Sequence, residues 1–176
     1  MRRVRVALLC ALLLGLGGCG GTAGRGGGSA KSHFAAAADR ICASHLKAVM
    51  NWLDQPGDAA DQTRQNAIQD EGIYEIMNRS ISRLEDLGQA PGPHRDAFGG
   101  YVKTLKARAA LYRLTSVAFF NQDTIFAIQL EKRISQIDAQ GDREAHAYGL
   151  QICGTDFQDV GKAFKAAGWS PRAPAS

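Results

Sequence analysis

The sequence predicts an all-α protein, an up-down-up-down four-helix bundle, from three observations. Apolar residues recur at spacings of three and four along four long segments, which is the periodicity of amphipathic helices. Short runs rich in Pro, Gly, Asn and Asp separate these segments and favour turns. No run of alternating β-branched residues indicates a strand. Because short loops between amphipathic helices favour antiparallel neighbours, we expect the bundle to occupy residues 33–169.

The first two predicted helices are separated by a turn at residues 56–58 (PGD). Helix one is expected over residues 33–53, with Ser32 as its N-cap. Helix two begins after Asp58 or Asp61 and ends at Gly88. The apolar stripes are Phe34, Ala38, Ile41, Cys42, Leu46, Val49 and Leu53 in helix one, and Ile73, Ile76, Met77, Ile81, Leu84 and Leu87 in helix two.

Helices three and four follow the loop at residues 89–93 (QAPGP), where Pro93 suits the first turn of a helix. Glycines 99, 100 and 141 inside these helices either weaken them or allow close helix contact, and both interpretations remain open. The apolar stripes are Phe98, Val102, Leu105, Ala109, Tyr112, Ser116 and Phe119 in helix three, and Ala127, Leu130, Ile134, Ile137, Gly141, Ala145 and Tyr148 in helix four.

The ends of helix four carry the remaining helix signals. Residues 121–123 (NQD) form either a break with Asp123 as the N-cap or part of one continuous rod, and the sequence leaves both open. Gly149 is placed to end helix four. Residues 155–158 (TDFQ) match a capping box, which leaves room for a short fifth helix to about residue 167. Residues 170–176 are expected to be a disordered tail.

The first 19 residues resemble the leader of a bacterial lipoprotein. Three arginines precede an apolar run at residues 6–16, which suits a signal peptide and is too short to span a bilayer core of about 30 Å. Leu16-Gly17-Gly18-Cys19 is similar to a lipobox, which is cut just before its cysteine. The resemblance implies a signal peptide at residues 1–18 and a lipid on Cys19, which anchors the protein on the extracytoplasmic face of the membrane. The alternative is an ordinary secretory signal in which Cys19 is incidental.

The segment after Cys19 and the charge of the chain limit the choice of partners. Residues 20–32 (GGTAGRGGGSAKS) are rich in glycine and predict a flexible tether. The whole chain has a net charge of +4, but three arginines and no acidic residue lie in the leader, which leaves +1. A nucleic-acid partner is therefore not expected; the expected partners are the membrane, through the lipid, and a protein of the cell envelope.

Two cysteines remain in the mature chain, Cys42 in helix one and Cys153 just after helix four. A secreted compartment permits a disulfide, and the two cysteines can meet if the chain turns back along helix one after Gly149. Closing a loop of about 110 residues is expected to stabilise the fold by about 4–5 kcal/mol. The alternative is a buried apolar Cys42 and a free thiol at Cys153.

The same region carries a second resemblance. The sequences Ala38-Asp39-Arg40-Ile41-Cys42 and Tyr148-Gly149-Leu150-Gln151-Ile152-Cys153-Gly154 are similar to motifs of small, uncharacterised helical lipoproteins of high-GC actinobacteria. This resemblance implies a helical bundle with a paired cysteine, and it implies no activity.

No motif in the sequence indicates catalysis or a cofactor. The histidines are His33, His45, His94 and His146, and none belongs to a Glu-x-x-His pair, which a di-iron bundle needs. No Gly-x-Ser-x-Gly turn is present. We therefore expect no enzyme, no metal site and no cofactor. An extracytoplasmic bundle that senses or carries a metal or small ligand is the alternative function, although the only polar residues in the stripes are Ser80, Ser116 and His45.

Aromatic residues gather at the bundle end that lies away from the tether. Trp52, Phe119, Phe120 and Phe126 flank the turns at this end. They either seal the core or form a surface for a partner. Since neighbouring helical residues cannot both face one core, we expect Phe120 and Phe126 to be exposed. The favoured function is therefore a lipid-anchored interaction module of the cell envelope, whose specific role the sequence does not give.

Overall fold

The computed structural model describes residues 23–55 and 61–154, with side chains from residue 30 onward. In these ranges the chain forms four α-helices and no strand, which confirms the predicted all-α bundle. The helices are α1 (Ala23–Leu53), α2 (Gln62–Glu85), α3 (Arg95–Phe120) and α4 (Thr124–Tyr148). The predicted signal peptide, Cys19, the fifth helix and the C-terminal tail lie outside the described residues.

Successive helices are antiparallel neighbours. In the middle of α3, Lys106 contacts Glu85 at the end of α2. Further along α3, Arg113 donates a hydrogen bond to the hydroxyl of Tyr74, which lies nearer the start of α2. The same reversed order holds for α1 with α2 and for α3 with α4. One end of the bundle, which we call the distal end, is therefore where α1 and α3 finish and where α2 and α4 begin.

The predicted stripes form the core, which divides into two clusters. The larger cluster joins all four helices and contains both cysteines. At the end of the bundle opposite the distal end, this cluster contains the rings of Phe34, Phe98 and Tyr148. Their centroids lie 4.9–5.8 Å apart, in edge-on and tilted arrangements. The smaller cluster lies near the distal end and consists of Ala67, Ala118, Phe119, Ala127 and Leu130, with Leu111 against it.

The helix ends follow the predicted caps. The side chain of Asp61 accepts a hydrogen bond from the N–H of Arg64 at the start of α2. Asp123 does the same for Phe126 at the start of α4, so α3 and α4 are separate helices and the continuous rod is excluded. Gly149 ends α4 with φ of 100°, a left-handed conformation that favours glycine.

Two helix starts differ from prediction. The N-cap of α3 is His94, so Pro93 precedes the helix and does not lie in its first turn. The flexible tether predicted over residues 20–32 is wrong for residues 23–32, because α1 begins at Ala23 and Ser32 lies inside it. Extending an existing helix avoids the cost of nucleation, and the Lys31 ammonium lies 5.2 Å from the ring centre of Tyr148. That contact ties the early part of α1 to the end of α4.

The glycines of α3 and α4 allow close approach of these helices at two positions. A Cβ atom at Gly141 would lie 3.0 Å from the methyl group of Thr104, and one at Gly100 would lie 2.9 Å from the carboxylate of Glu144. Gly99 faces open space. Gly100 and Gly141 therefore serve helix contact. In the described part of the chain, no helix is both long and apolar enough to cross a membrane.

Candidate functional site

A disulfide and a carboxylate hold the segment just after α4 against α1. Cys42 and Cys153 are bonded, as predicted, with 5.3 Å between their Cα atoms. One turn before Cys42, the Asp39 carboxylate accepts hydrogen bonds from the backbone N–H groups of Gln151, Ile152 and Cys153 at 2.8–3.1 Å. We call Asp39, Cys42 and residues 151–153 the Asp39/Cys42 clasp. It closes the bundle between α1 and the end of α4.

The clasp explains why both sequence motifs belong to one structural feature. Asp39 and Cys42 lie three residues apart and share one face of α1. The sequence motif contains Asp39 but predicts no role for this residue, because the donors that its carboxylate serves lie 112 to 114 residues away in the chain. Its position three residues before a paired cysteine was the signal that could have identified it.

His45 lies in the interior between α1 and α2. The Ser80 hydroxyl donates to the carbonyl of Ile76 at 3.0 Å. Its oxygen lies 3.2 Å from Nδ1 of His45, so we assign the proton of the neutral ring to Nδ1. Burial, reinforced by the positive charge of Arg108, lowers the pKa of His45 to about 4. The ring is therefore neutral at pH 7, and it acts as a structural donor.

A second interior polar group lies between α3 and α4. Nε of Arg108 contacts Oδ1 of Asp138 at 3.0 Å, and both side chains are largely buried. Beside this pair and the disulfide is a cavity of about 50 Å³, whose lining includes Tyr101 and Thr104. Among the described residues, no group of three or more His, Cys, Asp or Glu side chains is placed to hold a metal ion.

The distal end carries exposed apolar side chains. Among the described residues, seven large apolar side chains are exposed, and all lie within two turns of the distal ends of α2, α3 and α4. We call these seven the distal apolar surface: Ile68, Leu114, Val117, Phe120, Ile125, Phe126 and Ile128. The predicted exposure of Phe120 and Phe126 is confirmed, at 54% and 44%. Phe119 is buried in the smaller core cluster with 5% exposure.

A groove of about 420 Å³ runs along α2 from its distal part, and we call it the Trp52/Phe120 groove. Its apolar lining consists of Trp52, Ile68, Gly72, Ile76 and Phe120, and its charged lining consists of Glu71, Glu75 and Arg79. The Trp52 indole, which is half-buried, lies directly on Gly72, where a Cβ atom would fall 2.0 Å from the ring. Its Nε1–H donates to the carbonyl of Gln69 at 3.1 Å. The missing side chain at Gly72 therefore fixes the indole in the wall of the groove.

Asp70 is a half-buried carboxylate beside the groove residue Glu71. Its Oδ2 atom is buried and has no hydrogen-bond partner among the described residues. Burial, with a further contribution from the negative charge of Glu131, raises the pKa of Asp70 to about 7. The carboxylate is therefore only partly ionised near neutral pH.

Comparison with known protein families, with curated proteins and with solved structures finds no match for this chain. The geometry of the described residues therefore carries the functional argument. Of the residues predicted to form a partner surface, Phe120 and Phe126 are exposed, Trp52 lines the groove and Phe119 belongs to the core. The predicted lipid site, Cys19, lies outside the described residues.

Proposed function

We propose that this protein is a lipid-anchored interaction module of the cell envelope, and that its distal apolar surface binds a protein partner. The observation that carries the proposal is the concentration of exposed, large apolar side chains at one end of the bundle. Single exposed apolar residues are normal on protein surfaces. Several of them gathered in one region are typical of a binding surface.

The position of the anchor supports this arrangement. The lipobox-like sequence at Leu16-Gly17-Gly18-Cys19 precedes α1, whose 31 residues span about 46 Å at 1.5 Å per residue. Trp52 lies at the far end of that helix. A lipid on Cys19 would therefore hold the opposite end of α1 at the membrane and leave the distal apolar surface available to other proteins.

The rigidity of the bundle also supports the proposal. The Asp39/Cys42 clasp closes the fold by a covalent bond, and the Asp123 cap fixes the start of α4 next to Phe126. A surface that is ordered before binding loses less conformational entropy when a partner docks. A metal carrier, one form of the alternative function, has less support, since no group of three or more His, Cys, Asp or Glu side chains in the described residues is placed to hold a metal ion.

Site-specific photo-crosslinking tests the proposal. A p-benzoylphenylalanine residue would be placed at position 120 or 126 of the full chain in its native membrane. The matched control places it at position 103, an exposed residue near the other end of α3. We expect a discrete protein adduct from positions 120 and 126 and none from position 103. Equal adducts from all three positions, or none, would contradict the proposal.

A further inference from the structure

We infer that the Trp52/Phe120 groove binds an amphipathic helix of the partner protein, one that presents large apolar anchors flanked by lysine or arginine. This inference rests on the proposed function and specifies the partner. It combines two observations: the shape of the apolar groove along α2, and the charge at its edge.

The apolar wall has the geometry of a helix-binding groove. Ile68, Gly72 and Ile76 follow one another at intervals of four residues on α2, so they form a strip about 12 Å long at 1.5 Å per residue. The indole of Trp52 covers Gly72 on one side, and the half-exposed ring of Phe120 also lines the groove. A strip of this length matches apolar anchors one and two turns apart on a partner helix.

The edge of the groove carries two acidic residues. Glu71 and Glu75 lie four residues apart on α2, an arrangement in which like charges repel and destabilise the helix. Neither carboxylate makes an ion pair or hydrogen bond with the described part of the chain. Arg79 follows one turn later. Lysine or arginine side chains of a partner opposite Glu71 and Glu75 would remove this repulsion and fix the register of the complex.

The same charges argue against two other occupants. A second copy of the chain, docked groove against groove about a two-fold axis, would place Glu71 and Glu75 near their own symmetry mates. An anionic membrane surface would be repelled by the same two carboxylates. A basic amphipathic helix satisfies both the apolar wall and the acidic edge.

Tryptophan fluorescence can test the inference directly, because the chain has only two tryptophans. The probe protein is the chain with Cys19→Ser, which removes the lipid attachment, and Trp169→Phe, which leaves Trp52 as the reporter. The ligands are two synthetic 16-residue helical peptides with identical Leu and Phe anchors, one flanked by Lys and the other by Glu. We expect the Lys peptide to change the Trp52 emission saturably and to bind at least about tenfold more tightly than the Glu peptide.

Charge reversal supplies the decisive variant. Glu71→Lys with Glu75→Lys should transfer the preference to the Glu peptide, whereas Asp86→Asn, at the exposed far end of α2, should leave the Lys preference unchanged. Equal affinity for both peptides in the unmodified groove, or a charge-reversed groove that keeps the Lys preference, would overturn the inference. So would self-association of the chain that Phe120→Ser abolishes, because the occupant would then be a second copy.

The crosslinking experiment separates this inference from the proposed function. If position 120 captures a partner whose crosslinked segment is not a basic helix, the proposed function stands and the inference is overturned. If positions 120 and 126 capture nothing more than position 103 captures, the proposed function itself fails.

Discussion

Removing the Asp39 carboxylate should weaken the clasp while the disulfide stays in place. Of the bonds from its three backbone donors, those from Ile152 and Cys153 are half-buried and that from Gln151 is exposed. A hydrogen bond to a charged group contributes about 1.5–3 kcal/mol, and solvent screening at half-buried positions reduces each to about 1–2 kcal/mol. Counting the two half-buried bonds, Asp39→Ala should lower the free energy of unfolding by about 2–4 kcal/mol.

Thermal and urea unfolding, followed by circular dichroism, measure this effect. For a domain of this size about 1 kcal/mol corresponds to roughly 3–5 °C, so the melting temperature of Asp39→Ala should fall by about 6–20 °C. Asp39→Asn, which keeps an acceptor oxygen but loses the charge, should fall by less. The control is Asp54→Ala, at an exposed position just beyond the end of α1, which should melt within about 2 °C of the unmodified protein.

The disulfide determines how much stability is lost in Asp39→Ala. In the oxidised protein Cys153 stays tied to Cys42, so residues 151–153 remain near α1 when the carboxylate is removed. In the variant Cys42→Ser/Cys153→Ser the segment can move away, and the further cost of Asp39→Ala should be smaller. The two changes should therefore be non-additive, as expected for neighbours that share one structural element. The cysteine pair alone should lower stability, because its loop spans 111 residues.

Amide hydrogen exchange tests whether the hydrogen bonds to Asp39 stabilise the segment after α4. The N–H groups of Ile152 and Cys153 should be protected in the unmodified protein and should exchange faster in Asp39→Ala. If Asp39→Ala melts with the Asp54→Ala control, and both amides exchange as before, the carboxylate contributes nothing and the clasp consists of the disulfide alone.

Four further predictions concern the pH dependence of Asp70 and of His45, the distal end and the anchor. The pKa of Asp70 rises from 3.8 to about 7 on folding, so its carboxyl group lowers the free energy of unfolding progressively as the pH rises from about 4 to about 7. Melts of Asp70→Asn across this range should lack that decrease. An Asp70→Asn variant that is more stable by the same amount at every pH would contradict this prediction. The pKa of His45 falls from 6.5 to about 4 on folding, so its contribution is lost as the pH falls through that window, and His45→Gln should flatten the acid side of the profile. Phe120→Ser should change the free energy of unfolding by about 1 kcal/mol or less, whereas its buried neighbour Phe119→Ser should cost about 3–5 kcal/mol in urea melts; equal costs would contradict the burial difference. Cys19→Ser should move the protein out of the membrane fraction or leave its precursor uncleaved on immunoblots, and normal processing with full membrane retention would refute the lipid anchor.

The local features of the fold could be predicted because each depends on residues close in sequence. The helical stripes follow from apolar spacing alone, and the caps at Asp61 and Asp123 follow from an aspartate placed just before each helix. The start of α1 could not be predicted in the same way. Glycine-rich sequence has low helix propensity. The helix in this region is supported by tertiary contacts, such as that of Lys31 with Tyr148, between residues that lie far apart in the chain.

For the candidate site, the sequence predicted only which side chains are exposed, because exposure follows from positions close together in the chain. Adjacent phenylalanines on a helix must face different ways, so one of Phe119 and Phe120 is expected to be exposed, and the apolar stripe of helix three already contains Phe119. The structure buries Phe119 and exposes Phe120. The contact of the Trp52 indole with Gly72 depends on how α1 and α2 are aligned along their lengths. No local sequence pattern predicts that alignment. The pair Arg108 and Asp138 was missed for a related reason, since charged residues on helices usually face solvent.

The two ends of the bundle differ in what stabilises them, and this difference makes the exposed distal surface physically reasonable. Fully burying a large apolar side chain contributes about 1.5–3 kcal/mol, so side chains left exposed at the distal end forgo several such contributions. The larger core cluster, the clasp and the aromatic group around Tyr148 are concentrated toward the other end, where the disulfide alone is expected to contribute about 4–5 kcal/mol. Because stability is supplied at that end, the fold does not depend on burial of the distal side chains, which leaves them available for the proposed partner binding.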